Sequence, residues 1–425
     1  MWLPSLAELR DNQADLSRFR NRVFVVQLVV LVCFLLVAAR LSYLQIVRHE
    51  DLLEQAENNR TAVIPTVPPR GSILDRNGVE LASNYSAYTL EITPSKVADL
   101  EATIDALGEL VEIQGKDRRR FKRLREESRS FDSLPIRTRL NDEEVARFSA
   151  QRYRFPGVEI KARLFRQYPY GELASHVVGY IGRISEGDVS ALEESGQLGN
   201  YRGTDVIGKK GIEKTYETAL HGKTGVQEVE VTARGKPVRV LRRTDPIPGS
   251  NLVLSLDMNL QRVAEEAFKD QRGALVAIEP ATGDILAYVS RPGYDPNLFV
   301  GGISFADYRA LNDDVARPLF NRTVLGGFPP GSTIKPFMAL TGLEEGVITP
   351  ETTVFSSGAY RLPGQAREYR DWRPGGHGTI NLRESLAQSV NTYYYQLALD
   401  LGVERFDQYM TRYGFGQPSG IDLIG

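Results

Sequence analysis

The longest apolar run of the chain, VFVVQLVVLVCFLLVAA at 23–39, shows no helical or strand periodicity, and Gln27 is its only strongly polar position. A helix that is apolar all round is either buried in a large core or a membrane span, and this run is read as a membrane span and not as a buried core helix. Its 17 residues rise about 26 Å as a helix. The segment LSYLQIV beyond Arg40 adds length, enough to cross a hydrocarbon core while the arginine snorkels to the headgroups. No small-residue cleavage site of a signal peptide follows. Arg10, Arg18, Arg20 and Arg22 precede the run, whereas only Arg40 and Arg48 follow it closely. The positive-inside rule then keeps a short arm (1–21) in the cytoplasm, makes 22–46 a transmembrane anchor and exports the rest.

Beyond the anchor the pattern changes to short alternating runs mixed with amphipathic stretches. Residues 45–64 read as a juxtamembrane helix. VPPRGSILDRNG (67–78) is dense in turn formers, and Asn77-Gly78 between extended runs signals a hairpin. GVQEVEV and KPVRVLR read as strands. TDPIPGSN (244–251) breaks the pattern and divides an N-terminal module, 47–248, from a second domain, 249–425. In the second domain LVLSLD reads as a strand, a helix begins near Met258, and GALVAIEPATGDILAYVS reads as two antiparallel strands joined at Pro280–Gly283. The expected fold class is α+β and multidomain. The basic stretch Arg118–Arg125, followed at once by Glu126 and Glu127, reads as a solvated helix face.

Composition narrows the chemistry. A net charge of −2 over 425 residues offers no global attraction to nucleic acid. The single cysteine, Cys33, lies in the apolar run, so no internal disulfide is available. Only four histidines occur, which disfavours a Ser-His-Asp triad. GKKGIEK (208–214) lacks the spacing and the final Lys-Ser/Thr of a phosphate-binding loop.

The sharpest chemical signal is FPPGSTIKPF (328–337), a rigid turn followed by a helix expected to start at Ser332 and to stop at Gly346. Ser332 and Lys335 share a face of that helix. A hydroxyl needs a base before it attacks, and a lysine stripped of its proton by burial supplies one. The second signal, SVNTYYY (389–395), puts Ser389 and Asn391 57 and 59 residues after Ser332.

In that order S-x-x-K and S-x-N resemble the active-site motifs of penicillin-binding proteins and serine β-lactamases. The stretch NRTVLGGFPPGSTIKP resembles the approach to the nucleophile in class B penicillin-binding proteins. PRGSILDRNG, RQYPYGELASHVVGYIGR (166–183) and GKKGIEKTYE (208–217) resemble motifs of their N-terminal module. LHGKTGVQEVEV, YDPNLFVGGIS and the insert LPGQAREYRDWRPGGHG (362–378) are similar to the elongation-type branch. The resemblance implies an elongated α/β pedestal carrying a β-lactamase-like transpeptidase domain of antiparallel sheet plus helices. It also implies a peptidoglycan D,D-transpeptidase at the bacterial inner membrane, with its bulk in the periplasm. Ser332 would be acylated by the D-Ala-D-Ala carbonyl of a stem peptide, or by a β-lactam. Lys335 would be the base, Ser389 would relay a proton to the leaving amine, and Asn391 would bind the substrate amide. The backbone N–H of Ser332 would form half of an oxyanion hole. No cofactor is implied. The implied partners are stem peptides, a RodA-type glycosyltransferase and other elongation-complex proteins.

The family's third motif, K-[ST]-G, follows S-x-N. Here Lys223–Gly225 precedes the nucleophile and is read as a turn of the first module, and no K-[ST]-G follows Asn391. The chain is therefore expected to stop inside the transpeptidase domain and to be inactive as it stands. Some similar proteins hold zinc near the insert with two carboxylates, a histidine and a cysteine. Asp371 and His377 match two of those positions, but Ser356 and Val390 stand at the others, so no metal site is expected. Two rival readings are a β-lactam sensor or β-lactamase, and a non-catalytic scaffold for a glycosyltransferase.

Overall fold

The computed structural model describes residues 12–50, 52–53, 61–127, 133–232 and 237–423. The apolar run lies in a helix, Asn12–Ser42, that continues as a π-turn at Tyr43–Val47. Over Arg18–Val47 it is long and apolar enough to cross a membrane, and no part of its apolar window is buried inside the protein. A helix that presents bare apolar surface on every side has no soluble core to serve.

The expected juxtamembrane helix does not extend to 64. Thr61–Thr66 is a strand, paired antiparallel with Gly225–Val231, which pairs in turn with Pro237–Thr244. Four of its six residues are Thr, Val or Ile (TAVIPT), and β-branched chains suit a pleated surface better than a helix. Residue 51 and residues 54–60 of the expected helix lie outside the described residues.

The centre of the first module is the long strand Glu80–Ile92. Leu134–Leu140 and Val158–Gln167 both pair with it antiparallel. Its last four residues, Thr89–Ile92, are buried on both faces. Helices Leu100–Leu107, Gly115–Glu127 and Asp142–Gln151 cover this end and bury Leu107, Ile136 and Phe148 almost completely. Each such side chain contributes about 1.5–3 kcal/mol. The Arg118–Arg125 helix mostly faces solvent, but Arg120 turns inward and donates to Ile136 O at 3.2 Å.

The Asn77-Gly78 turn closes the expected hairpin between Ile73–Leu74 and Glu80–Ile92, with Gly78 at φ +83°. Asp75 holds it, accepting from Asn77 N and Val79 N at 2.8 Å each. Its other oxygen accepts from Met258 N at 3.1 Å, so the turn also seats the helix Met258–Phe268. LVLSLD yields only a two-residue strand, Leu252–Val253. It runs parallel to Ile73–Leu74 and so adds to the sheet of the first module.

Three quoted motifs converge on one buried ionic cluster. Arg70 donates to Glu213 Oε2 at 2.8 Å and to Glu217 Oε2 at 2.6 Å. Arg166 donates to Glu213 Oε1 at 2.7 Å and to Gly71 O at 2.7 Å. Tyr168 OH donates to Glu213 Oε1 at 3.1 Å and accepts from Ile181 N at 2.9 Å. The backbone of Tyr168 meets Asn297 of the second domain through two hydrogen bonds, 3.0 and 2.9 Å. A single apolar cluster containing Ile73, Tyr168, Ile212, Met258 and Tyr288 spans both modules.

In the second domain Gly273–Ile278 and Ile285–Arg291 form the expected antiparallel pair, with Gly283 at φ +81° in the turn. Two helices, Lys335–Glu344 and Asn391–Arg412, pack around Met338, Tyr393 and Leu397. A Cβ on Gly342 would stand 2.9 Å from both Ile348 Cγ1 and Leu397 Cδ1. The glycine is therefore what lets these helices approach.

Candidate active site

Ser332 does not begin an α-helix. It lies in a 3-10 turn, Gly331–Ile334, and the α-helix starts at Lys335. The Pro329-Pro330-Gly331 run sets that turn, since prolines fix φ and Gly331 takes φ +57°. The tighter turn leaves Ser332 exposed and sends Lys335 into the core, where it is 7% exposed. The helix ends as expected at Gly346, φ +66°.

The S-x-N segment is a sharp turn between helices. Leu382–Ala387 starts on a capping box from Asn381 and stops at Gln388. Ser389 then adopts the left-handed conformation, φ +53°, and the next helix begins at Asn391. For a residue with a Cβ this conformation costs about 1–2 kcal/mol, and such strain concentrates at functional sites. The reversal turns both Ser389 oxygens toward Lys335.

The two motifs meet. Ser332 Oγ and Ser389 Oγ are hydrogen-bonded at 2.8 Å. Lys335 Nζ donates to Ser389 O at 2.7 Å, Ser389 Oγ at 3.2 Å and Asn391 Oδ1 at 2.7 Å. The Lys335 backbone N–H donates to Ser332 O within the turn, but among the described residues no hydrogen bond joins Lys335 Nζ to Ser332 Oγ, so the side-chain path between them runs through Ser389. The adjacent aromatic is Tyr394, whose ring centroid lies 5.5 Å from Lys335 Nζ. All three acceptors of the ammonium are neutral. Burial therefore pushes the Lys335 amine below its ordinary range, with Asp371 opposing the shift from a distance. A lysine so placed can lose its proton and take one from Ser389, while Ser389 takes that of Ser332.

Lys223 and Thr224 pin loops of the first module. Lys223 bridges to Ile247, and Thr224 N donates to Asn200 Oδ1 at 2.8 Å. The insert brings together two of the four positions compared with a zinc set. Asp371 and His377 come together, Oδ1 to Nε2 at 3.8 Å, but Ser356 donates its hydroxyl to Thr392 Oγ1 and Val390 is an apolar core residue. Two donors do not close a structural site, which takes four. No cluster of three His, Cys, Asp or Glu exists among the described residues. Asp371 instead touches the S-x-N helix, a contact that no local sequence signal announces.

Two modules sharing one core, the second bringing S-x-x-K and S-x-N into hydrogen-bonded contact, define the architecture of penicillin-binding proteins. The penicillin-binding protein dimerisation domain matches residues 65–254, and the penicillin-binding protein transpeptidase domain matches 273–425. The chain belongs to this family, in its PBP2 branch. It is 44% identical over 414 residues to the peptidoglycan D,D-transpeptidase MrdA of Escherichia coli (strain K12), covering 97% of this chain and 65% of that protein. The chain thus spans about two thirds, 65%, of the length of that curated relative. The structure of PBP2 in complex with MreC from Helicobacter pylori is similar at a TM-score of 0.75 and 30% identity, over 86% of this chain and 67% of that one. Pseudomonas aeruginosa PBP2 in complex with WCK 5153 matches at 0.60 and 38%, over 86% and 59%.

Proposed function

We propose that this protein is a peptidoglycan D,D-transpeptidase that cross-links stem peptides during cell elongation, with Ser332 as nucleophile. Neutral Lys335 takes a proton from Ser389 Oγ as Ser389 takes that of Ser332. Ser332 Oγ then bonds to the penultimate D-Ala carbonyl. As the tetrahedral adduct collapses, the proton returns through Ser389 to the departing terminal D-Ala amine. The amine of a neighbouring stem peptide resolves the acyl-enzyme and forms the cross-link. Asn391 Nδ2, whose contact among the described residues is a 3.5 Å one to Arg370 O, is available to the substrate backbone. The Ser332 N–H, at the start of a helical turn, serves as one oxyanion donor. A β-lactam carbonyl enters by the same route.

The observation that carries this reading is the chain Ser332–Ser389–Lys335, assembled from two motifs far apart in sequence around a buried amine whose hydrogen-bond acceptors are all neutral. The name of the Escherichia coli relative and the PBP2 likenesses support the elongation role. We assign the helix Arg18–Val47 to the inner membrane with the N-terminus cytoplasmic, from its bare apolar surface and preceding arginines. The first module and anchor would meet a RodA-type glycosyltransferase. An MreC-like protein is a further partner by analogy with the Helicobacter pylori complex.

Fluorescent penicillin tests the assignment on the full-length gene product in membranes. One labelled band is expected, and it disappears in Ser332→Ala. Labelling that survives this substitution refutes Ser332 as the acylated residue.

A further inference from the structure

The S-x-N turn is strained at Ser389 and its helix has no cap of its own. Val390, the N-cap residue, offers no side-chain acceptor, although the first N–H groups of a helix need partners. The insert supplies one for Thr392 N. Asp371, 9% exposed, accepts from Thr392 N at 3.1 Å and Thr392 Oγ1 at 3.0 Å, both on Oδ2. Its Oδ1 accepts from Trp372 N at 2.9 Å, and its own N–H donates to Gly358 O at 2.9 Å. Both carboxylate oxygens are thus engaged within the protein.

The same loop grips the residue before Ser389. Trp372 Nε1 donates to Gln388 O at 2.8 Å, and His377 Nδ1 meets Gln388 Oε1 at 3.0 Å. Ser356, paired with Gly378 across a short hairpin, backs Thr392 from the far side through its hydroxyl at 3.3 Å. Residues 388 and 392 are therefore clamped on either side of Ser389 and Asn391, the two side chains that hold Lys335.

We infer that Asp371 is a positioning residue for acyl transfer: by hydrogen-bonding Thr392, without a metal, it fixes the S-x-N turn over Lys335. The inference rests on the acyl-transfer reading of the site. A carboxylate at this end also complements the dipole of the helix that begins at Asn391 and is broken at Gly402, φ +75°. The charged and titratable groups around it are Lys335, His377 and Tyr395. A shift at Thr392 carries Asn391 with it, and small misplacements of catalytic groups are costly in rate.

The test is the acylation of the full-length protein by a fluorescent penicillin over a range of concentrations. Asp371→Ala should lower the saturating rate ~10–100-fold and change the half-saturating concentration little. Asp371→Asn, which keeps a carbonyl oxygen for Thr392, should recover to within ~fivefold of wild type. A chelator should leave the wild-type rate unchanged. A wild-type rate in Asp371→Ala, an equal loss in both variants, or a chelator-sensitive rate restored by zinc overturns the inference. Should Asp371→Ala fail to fold, Thr392→Val removes one donor only. A ~threefold loss then supports the proposal, and an unchanged rate overturns it. An unlabelled wild type sinks the acyl-transfer reading itself, and this inference with it.

Discussion

Two buried cations in this protein are treated in opposite ways. Arg70, in the first module, lies between two carboxylates, Glu213 and Glu217, and Arg166 shares Glu213 with it. Burial alone would lower the Arg70 pKa, but Glu213 and Glu217 outweigh it and hold the guanidinium above its ordinary range. Burial alone would raise that of Glu213, but Arg70 and Arg166 hold its carboxyl below the ordinary range. Neither side gives up its charge near neutral pH, so the cluster locks three chain segments. Lys335 has no carboxylate in hydrogen-bond contact among the described residues and leans on neutral oxygens instead. Its charge is poorly compensated and its proton dischargeable. Geometry of similar quality thus holds the charge in one module and weakens it in the other, because acids flank one cation and a carbonyl, a hydroxyl and an amide flank the other.

Removing the base should have the largest effect. Lys335→Met is expected to slow penicillin acylation ~10²–10⁴-fold without unfolding the domain. Lys335→Arg should not rescue it, since a guanidinium does not yield its proton. In wild type the rate should fall as pH drops through the lowered pKa of Lys335, because the protonated amine cannot act as base. Rate retention in either variant breaks the contrast.

Glu213→Gln probes the other side. It leaves Arg70 and Arg166 facing a neutral group and should cost about 3–5 kcal/mol in denaturant unfolding of the part that follows the apolar helix. Because the folded pKa of Glu213 is lowered from 4.5, the stability this pair confers is complete above pH 4.5 and disappears as pH falls through the folded value. The acylation limb and this acid limb should therefore fall in separate pH windows. A coincidence of the two would show that the cluster and the active site unfold together.

The smallest effect should come from Tyr168→Phe, which strands Ile181 N–H and removes one donor from Glu213. About 1–3 kcal/mol of stability should be lost, with the saturating acylation rate unchanged. A loss of rate at full occupancy of the fold would mean that the two modules are coupled more tightly than Asn297 and the shared core require.

Where the physical cause is local, the chain can be read directly. The long apolar helix shows itself in a run with no polar face, and the hairpins in Asn77-Gly78 and in the Pro280–Gly283 turn, where backbone freedom within four residues decides the outcome. Ser332, Lys335, Ser389 and Asn391 were legible as two motifs in order. Residues 61–64 fall in a strand and not in the expected helix because the strand's partner, Gly225–Val231, is remote in sequence. LVLSLD shrank to two residues because its pairing edge, Ile73–Leu74, is equally short.

Sequence alone determined which residue types could do chemistry here: an alcohol behind a Pro-Pro-Gly turn, an amine three positions on, a serine–asparagine pair later, and too few histidines for the usual alternative. Tertiary structure alone decided how they connect. The Ser389 hydroxyl, not the Lys335 amine, meets the Ser332 hydroxyl, and Asp371 accepts from Thr392 at a helix end. Arg70 finds Glu213 across 143 residues. Hydrogen bonds and charge pairing act over a few ångströms of space, and a linear chain does not disclose which distant segments will come within that reach until the apolar core has closed around them.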